Sequence, residues 1–498
     1  MHFAPLHIRS LIKSDVRRKE TCPKMSFSDR YRPSKALLSL GDGFYDRVLP
    51  AEFPALKLRF RNQTWARRVG LDTLGEGSWR RHFGRLEPLP ENLSEALALR
   101  YHGHQFRQYN PLLGDGCGFL LGQLEAEDGR LLDLGTKGSG RTPWSGESEG
   151  RLSLKDGVRE VLAAEMLEAL GVCTSKALSL FETGQDLCGG SGQETVRACV
   201  LVRLNHSHVR FGSFSRCAHY GNTRGVKALL TYCTEHLTPG LAGLSEEDQP
   251  VEFMREVCHR SAELAASWMV SGFVHGLINT ENMNVTGESF EHTSHGFLPR
   301  YDENFVAGDF DTEGLFKYGD QHLSVIWNLS RLAEALSIIA PMGTLGDTIY
   351  DFLPVYMAGL VRRFVRRLGL MSRGPQQDSS MVRSAQDFMA ESGVGFDQFF
   401  FDWYGGMASR DRALGSPEAA RYEGATFSRF RRCLRRFEAL APQRLETGYF
   451  RGAAPCTLLK SDIDRVWDAV DKADDWRPFD KKVEEIRAMK EALGLATR

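Results

Sequence analysis

Apolar and polar positions repeat with two different periods along this chain, and the change falls near its middle. Gly118-Phe-Leu-Leu-Gly-Gln-Leu124 predicts a strand, Glu127-Asp-Gly-Arg130 a tight turn, and Leu131-Leu-Asp-Leu134 the returning strand. Another strand is expected over Val196–Leu204. Between them Val158, Val161, Leu162, Met166 and Leu170 share one face at helical spacing and predict a helix at about 155–170. The Pro-, Gly- and acid-rich stretch Thr238–Pro250 reads as a linker or loop between two lobes. Beyond it the spacing is helical, over 252–271, 322–339, 346–369, 383–392, 417–439, 461–472 and 479–493. Ser372–Ser380 reads as a polar break and a mobile loop. The expected fold is therefore α+β and bilobal. A flexible segment (1–35) precedes a strand-containing N-lobe (36–240) and a mostly helical C-lobe (241–498). Such an order suits a nucleotide cleft between lobes.

Composition narrows the partners. The 498 residues carry a formal net charge of −1, so nothing draws the chain in bulk to nucleic acid or a membrane surface. No apolar run approaches the length of about eighteen residues that a membrane-spanning helix needs. The ten cysteines are scattered without Cys-x-x-Cys or zinc spacing, which points to reduced thiols in an intracellular, cytoplasmic setting. The first 24 residues carry six Lys or Arg against Asp15 and Glu20. They resemble a weak organelle leader, which keeps a mitochondrial setting as the alternative, or a misassigned start before Met25. The pairs His102/His104 and His206/His208 lack further ligands at metal spacing and read as packing or hydrogen-bonding residues.

The chemistry concentrates in a few places. Glu281 and Asn282 lie side by side in His275-Gly-Leu-Ile-Asn-Thr-Glu-Asn-Met-Asn284, and Glu291 follows. Magnesium prefers hard oxygen ligands, often one or two carboxylates plus phosphate oxygens. Kinase-type phosphate chemistry uses such a set: one acid to take a hydroxyl proton, an Asn and a second acid to hold metal. Gly114 and Gly116 open the first strand and can reach backbone conformations closed to other residues, letting N–H groups approach phosphate. Lys137, at the end of the returning strand, offers a point charge, and Glu160 on the following helix would hold it. Arg203 and Arg210 could clamp one phosphate across a strand and turn; structural salt bridges are the alternative. Gly146-Glu-Ser-Glu-Gly150 matches a hydrolase nucleophile elbow in letters, but the Gly-, Ser- and Pro-rich stretch before it is not the strand such an elbow needs.

His102-Gly-His-Gln-Phe106, Leu113-Gly-Asp-Gly116, Lys137-Gly-Ser-Gly-Arg-Thr-Pro143, Arg159-Glu160, Ser207-His-Val-Arg-Phe-Gly-Ser-Phe214 and the 275–283 run resemble, in order, the SelO (YdiU) family. The resemblance covers about residues 36–330, with a weaker helical match beyond. It implies a protein-kinase-like fold that binds ATP in a flipped orientation and moves AMP onto Ser, Thr or Tyr hydroxyls of proteins. Carried over by motif, Gly114 and Gly116 would touch nucleotide, and Lys137, Arg203 and Arg210 would hold its phosphates. Glu149 and Gly150 stand at a nucleotide-contacting Asp-Gly. Glu281 stands at the proton acceptor, and Asn282 and Glu291 at ligands of Mg²⁺ (or Mn²⁺). The chain departs from the pattern at Cys117, where the family has arginine, and at 149, 281 and 291, where Glu stands for Asp. Each Glu keeps the charge but adds a methylene, and Glu291-His-Thr-Ser-His295 differs from the expected Asp-Tyr-Gly-Pro. The C-terminal redox Cys of some members has no counterpart, the last cysteine being Cys456. The leading expectation is an ATP-dependent protein adenylyltransferase. The alternatives are a nucleotide-binding pseudoenzyme and a γ-phosphoryl kinase.

Overall fold

The computed structural model describes residues 27–146, 149–188 and 195–495. The basic segment 1–24 and the middle of the 146–150 motif lie outside them. The first part holds β1 (Pro33–Ser34), β2 (Tyr45–Val48), β3 (Lys57–Arg61), α1 (Gln63–Arg68), α2 (Glu76–Trp79), β4 (Ala96–Leu99), β5 (Gly103–Gln105), β6 (Gln108–Asn110), β7 (Leu120–Glu125) and β8 (Leu131–Lys137). Then come β9 (Leu152–Ser153), α3 (Leu154–Ala169), β10 (Lys176–Cys188) and β11 (Thr195–Asn205). Among the described residues nine of these strands form one antiparallel sheet, ordered β2-β4-β7-β8-β11-β10-β3, with β1 beside β7 and β9 beside β11. β5 and β6 form a separate hairpin.

The sheet is buried on both faces, and strand alternation divides its side chains between two cores. Leu180, Cys199 and Leu201 turn toward Val158, Val161 and Leu162 of α3. Phe181, Val200 and Val202 turn the other way, toward Trp65, Trp79 and Phe83. Ser153 caps α3 by accepting from the Asp156 N–H at 3.0 Å.

The rest is mostly helical: α4 (Phe211–His219), α5 (Thr223–His236), α6 (Gln249–Ser271), the short pair β12 (Phe273–Val274) and β13 (Gly296–Phe297), α7 (Gln321–Leu336), α8 (Met342–Asp347), α9 (Phe352–Arg367), α10 (Pro375–Ser392), α11 (Phe396–Asp402), α12 (Arg410–Leu414), α13 (Gly424–Leu434), α14 (Lys460–Ala473) and α15 (Arg477–Leu493). Three expectations need correction. The 372–380 stretch is no mobile break. Pro375 starts α10 there, its fixed φ suiting the first helical position, and the Asp378 carboxylate accepts from Ser372 Oγ (2.6 Å) and the Arg373 N–H (2.8 Å). The 346–369 helix is two helices joined by a tighter turn at Thr348–Asp351. Helical structure also begins earlier than the spacing predicts, with α4 and α5 ahead of the 238–250 loop.

Finally, α15 packs along α3. Arg487 Nε donates to Glu165 Oε2 at 2.9 Å, Lys490 Nζ lies 2.7 Å from Glu168 Oε2, and the Phe479 ring meets Phe60 edge-on.

Candidate active site

Three strand and helix positions bring the first charges together. Lys137 ends β8, Arg203 lies on β11 two residues beyond Leu201, the register partner of Lys137, and Glu160 comes from the second turn of α3. Lys137 Nζ lies 2.5 Å from Glu160 Oε1 and 2.5 Å from Glu291 Oε2. Arg203 Nη2 donates to Glu291 Oε1 at 2.5 Å, and Arg210 Nη2 reaches the same oxygen at 3.6 Å. The expected pair of arginines does meet, on a carboxylate. Burial works against the charge of Lys137, yet Glu160 and Glu291 outweigh it and hold its pKa above the ordinary lysine value. Burial alone would raise Glu291; Arg203, Lys137 and Arg210 together drive it well below the usual carboxylate range. Glu291 also sits at φ +66°, a left-handed conformation that costs a non-glycine residue on the order of 1 kcal/mol or more.

The 275–291 segment is fastened from several sides. The Phe211 N–H donates to the Met283 carbonyl, the Val285 N–H to the Val209 carbonyl and the His275 N–H to Gln321 Oε1. The Phe290 carbonyl meets His275 Nε2 at 3.1 Å. Arg210 Nη1 donates to the backbone carbonyl of Glu281 at 2.6 Å and Nη2 reaches Asp115 Oδ1 at 3.3 Å. One arginine thus ties the glycine loop, the Glu281 turn and Glu291 together.

Gly116, Cys117, Lys137, Arg203, Arg210, Asn282 and Glu291 all line one cleft of about 110 Å³. A larger hollow of about 700 Å³ lies between residues 50–56 and 80–88, away from these groups, so convergent charge rather than size picks out the site. Gly114 and Gly116 lie outside the left-handed region, contrary to the reason expected for them. They are glycines because Trp144 packs on them: a Cβ at 114 would stand 2.5 Å from its ring, and one at 116 would stand 2.8 Å from its carbonyl oxygen. Cys117 Sγ lies 3.3 Å from the Arg151 carbonyl, and burial pushes its thiol up.

Two carried-over residues lie apart. Glu149 is exposed, its carboxylate 3.5 Å from Arg141, and is not among the cleft's lining residues. Gly150, at φ +66°, accepts the Gly140 N–H at 3.2 Å and closes the loop after β8.

Glu281 is buried on a single helical turn (Thr280–Asn282). Burial raises its pKa above the ordinary glutamate value, against Arg210 and hydrogen bonds from its own backbone, Asn279 and Gln105. Its Oε2 has no hydrogen-bond partner among the described residues. Beside it Asn282 donates its amide N–H to the Leu277 carbonyl at 2.9 Å, which leaves the amide oxygen as an open ligand. Among the described residues Arg203 Nε and Nη1 also lack hydrogen-bond partners, although Nη1 stands 3.9 Å from Glu160. Buried donors and acceptors left open in the cleft and on the turn beside it call for a polar ligand.

Sequence comparison decides the family. The profile described as "Protein adenylyltransferase SelO" matches residues 28–487. The chain belongs to the SelO protein adenylyltransferase family. Its relatives called protein nucleotidyltransferase YdiU include that of Synechocystis, 39% identical over 472 residues, which cover 92% of this chain and 98% of the relative. That of Gloeobacter violaceus is 40% identical over 460 residues (90% and 93%), and that of Trichormus variabilis 36% identical over 482 (94% and 98%). SelO membership makes the chain a protein nucleotidyltransferase.

Sequence reading missed four positions that the site uses. Asp115 lies between the two loop glycines and accepts from Arg210 and the Leu99 N–H. Asn279 and Thr280 stand inside the SelO motif and accept N–H bonds from the β5–β6 hairpin. Gly103 is within the His-Gly-His-Gln-Phe block, which signalled the SelO family without showing a role.

Proposed function

We propose that the chain transfers AMP from ATP to Ser, Thr or Tyr hydroxyls of proteins, using the cleft between the sheet and the 275–291 segment. The observation that carries this reading is the convergence of Lys137, Arg203 and Arg210 beside Glu291 and Asn282, with Glu281 on the adjoining turn. Three fixed cations in a water-poor cleft stabilise charge that develops on a leaving pyrophosphate. The hydroxyl oxygen attacks the α-phosphorus, the bond from that phosphorus to the bridging oxygen breaks, and pyrophosphate leaves. Glu281 takes the hydroxyl proton. Its open Oε2 and raised pKa suit a group that must accept a proton near neutral pH.

The donor set fits Mg²⁺ or Mn²⁺. One carboxylate (Glu291) and one amide oxygen (Asn282) line the same cleft, and magnesium commonly takes few protein ligands and completes its shell with phosphate and water. When bound, the cation would offset phosphate charge and orient the chain of phosphates. For Glu291 to serve it, that carboxylate gives up part of its pairing with Lys137 and Arg203, which then become free for phosphate.

The strand order, Lys137 on β8 and Glu160 on α3 support a bilobal, protein-kinase-like arrangement, with 36–240 as the N-lobe and 241–498 as the C-lobe. Among the described residues no helix is long and apolar enough to cross a membrane. The test is incubation with protein acceptors and ATP labelled at the α or the γ phosphate. Label from α alone supports adenylyl transfer; label from γ alone makes the chain a kinase, and ATP binding without transfer makes it a pseudoenzyme.

A further inference from the structure

Glu281 is longer by one methylene than the acid that the family resemblance leads one to expect, so its carboxylate needs room that an aspartate would not. The β5–β6 hairpin lies against it. The His104 N–H donates to Thr280 Oγ1 at 2.7 Å and the Phe106 N–H to Asn279 Oδ1 at 3.1 Å, so the hairpin is bonded to the two residues before Glu281. Its turn holds Phe106 at φ +48° and Arg107 at φ +65°, two consecutive left-handed non-glycine residues, which the docking must over-determine. At the near end stands Gly103. A Cβ built there would lie 2.5 Å from Glu281 Oε2 and 3.1 Å from its carboxyl carbon. Gly103 does not have a positive φ, so its backbone does not demand glycine. What demands it is the space.

We infer that Gly103 is the positioning residue for Glu281: its missing side chain is the clearance into which the longer acid places its carboxylate. This rests on the reading of Glu281 as the proton acceptor. The nearest atoms that a Cβ at 103 would meet belong to two side-chain ends, the Glu281 carboxylate and Leu113 Cδ1, the latter at 2.7 Å. Both can yield without unfolding the chain. The carboxylate would be displaced while the cation cluster around Lys137 stayed in place.

The test is a cycle on the full chain, with AMP transfer and ATP affinity measured for Gly103→Ala, Glu281→Asp and the two together. Displacing a catalytic group by about an ångström costs roughly a hundredfold, so Gly103→Ala should lower kcat by about that factor at unchanged ATP affinity. In the Glu281→Asp background the same substitution should cost less than about threefold, because the shorter acid does not reach the added methyl. An equal loss in both backgrounds, or a loss of ATP affinity with Gly103→Ala, overturns the assignment. A second cycle with Leu113→Ala is independent of how fast the aspartate variant turns over. Clearing the leucine should leave the loss in place, and full rescue by it would assign the effect to Leu113 packing instead. Full turnover in Glu281→Gln would sink the proton-acceptor role itself. Full turnover in Gly103→Ala, with Glu281→Gln inactive, would sink only the Gly103 assignment.

Discussion

The two sides of this cleft are built on opposite rules. On the side proposed to hold phosphate the charges are paired: Lys137 touches two carboxylates and Glu291 meets three cations, with Lys137, Arg203 and Arg210 buried and Glu291 partly exposed. On the side proposed to accept the proton, Glu281 keeps one carboxylate oxygen without a hydrogen-bond partner among the described residues and is located by packing and a few hydrogen bonds. A buried ion network is self-consistent and stiff, but it must exchange partners before it can hold a nucleotide. A carboxylate held by shape has nothing to exchange, and is instead sensitive to a single methyl group. On the proposed reading, electrostatics sets binding and sterics sets the chemical step.

Removing the acceptor should break the comparison most sharply. Glu281→Gln keeps the shape and loses the base, so AMP transfer should fall by about 10²–10⁴-fold while ATP affinity, measured by calorimetry, stays close to that of the parent. Lys137→Met should act on the other side. It leaves Glu160 and Glu291 with one cation fewer, and breaking such a buried pair costs about 3–5 kcal/mol, readable as a lower midpoint in urea together with lost ATP binding. Intact ATP binding in Lys137→Met would move the phosphate site elsewhere.

A pH series separates the two sides without mutation. Burial raises the Glu281 carboxyl above the ordinary glutamate value, and it accepts a proton only when ionised. Transfer should therefore decline, as pH falls, at a higher pH than an exposed glutamate would give. Its contribution to stability runs the other way. It is fully present below the unfolded-state pKa and is lost as pH rises through the raised folded value. Steady-state rates and thermal melts over the same pH range should diverge. Parallel curves would mean that Glu281 does not govern the rate. The smallest effect belongs to Glu149→Ala. Its carboxylate is exposed and its link to Arg141 is 3.5 Å long, so stability should change by less than about 0.5 kcal/mol. A large rise in the KM for ATP would bring that residue into the nucleotide site after all.

How much of this was legible in the sequence depended on whether local pattern or tertiary contact decided each position. The β7–β8 hairpin was readable because alternation and the Asp128-Gly129 turn both act locally. Helix α3 was readable because its apolar stripe is long and unbroken. β10 was missed: its run carries Thr183-Gly184-Gln185, and its pairing with β11 shifts register between Glu182 and Asp186. α4 was missed because Gly212, Ser213 and Ser215 occupy buried positions where apolar residues would have marked a stripe. Lys137, Glu160, Arg203, Arg210 and Glu291 were named from sequence and the structure brings them together. That three cations would share the Glu291 carboxylate was not readable, since it depends on β8, β11 and the 283–291 segment meeting in space. The same holds for Gly103, whose neighbour Glu281 lies far along the chain.

The packing of α15 on α3 also sets a clock. Arg487 and Glu165 are separated by 322 residues, and α3 carries Glu160 a turn away from that contact. At a synthesis rate of about 5–20 residues per second, the ribosome needs roughly 20–60 s to travel between the two. Once Arg203 is made, the emerging chain owns its glycine loop, Lys137 and Arg203, while the helix whose Glu160 pairs with Lys137 still lacks the α15 contact on its outer side. The brace arrives with α15. Until α15 is made, the helix that carries Glu160 lacks this contact, although Lys137, Glu160 and Arg203 are already in the chain.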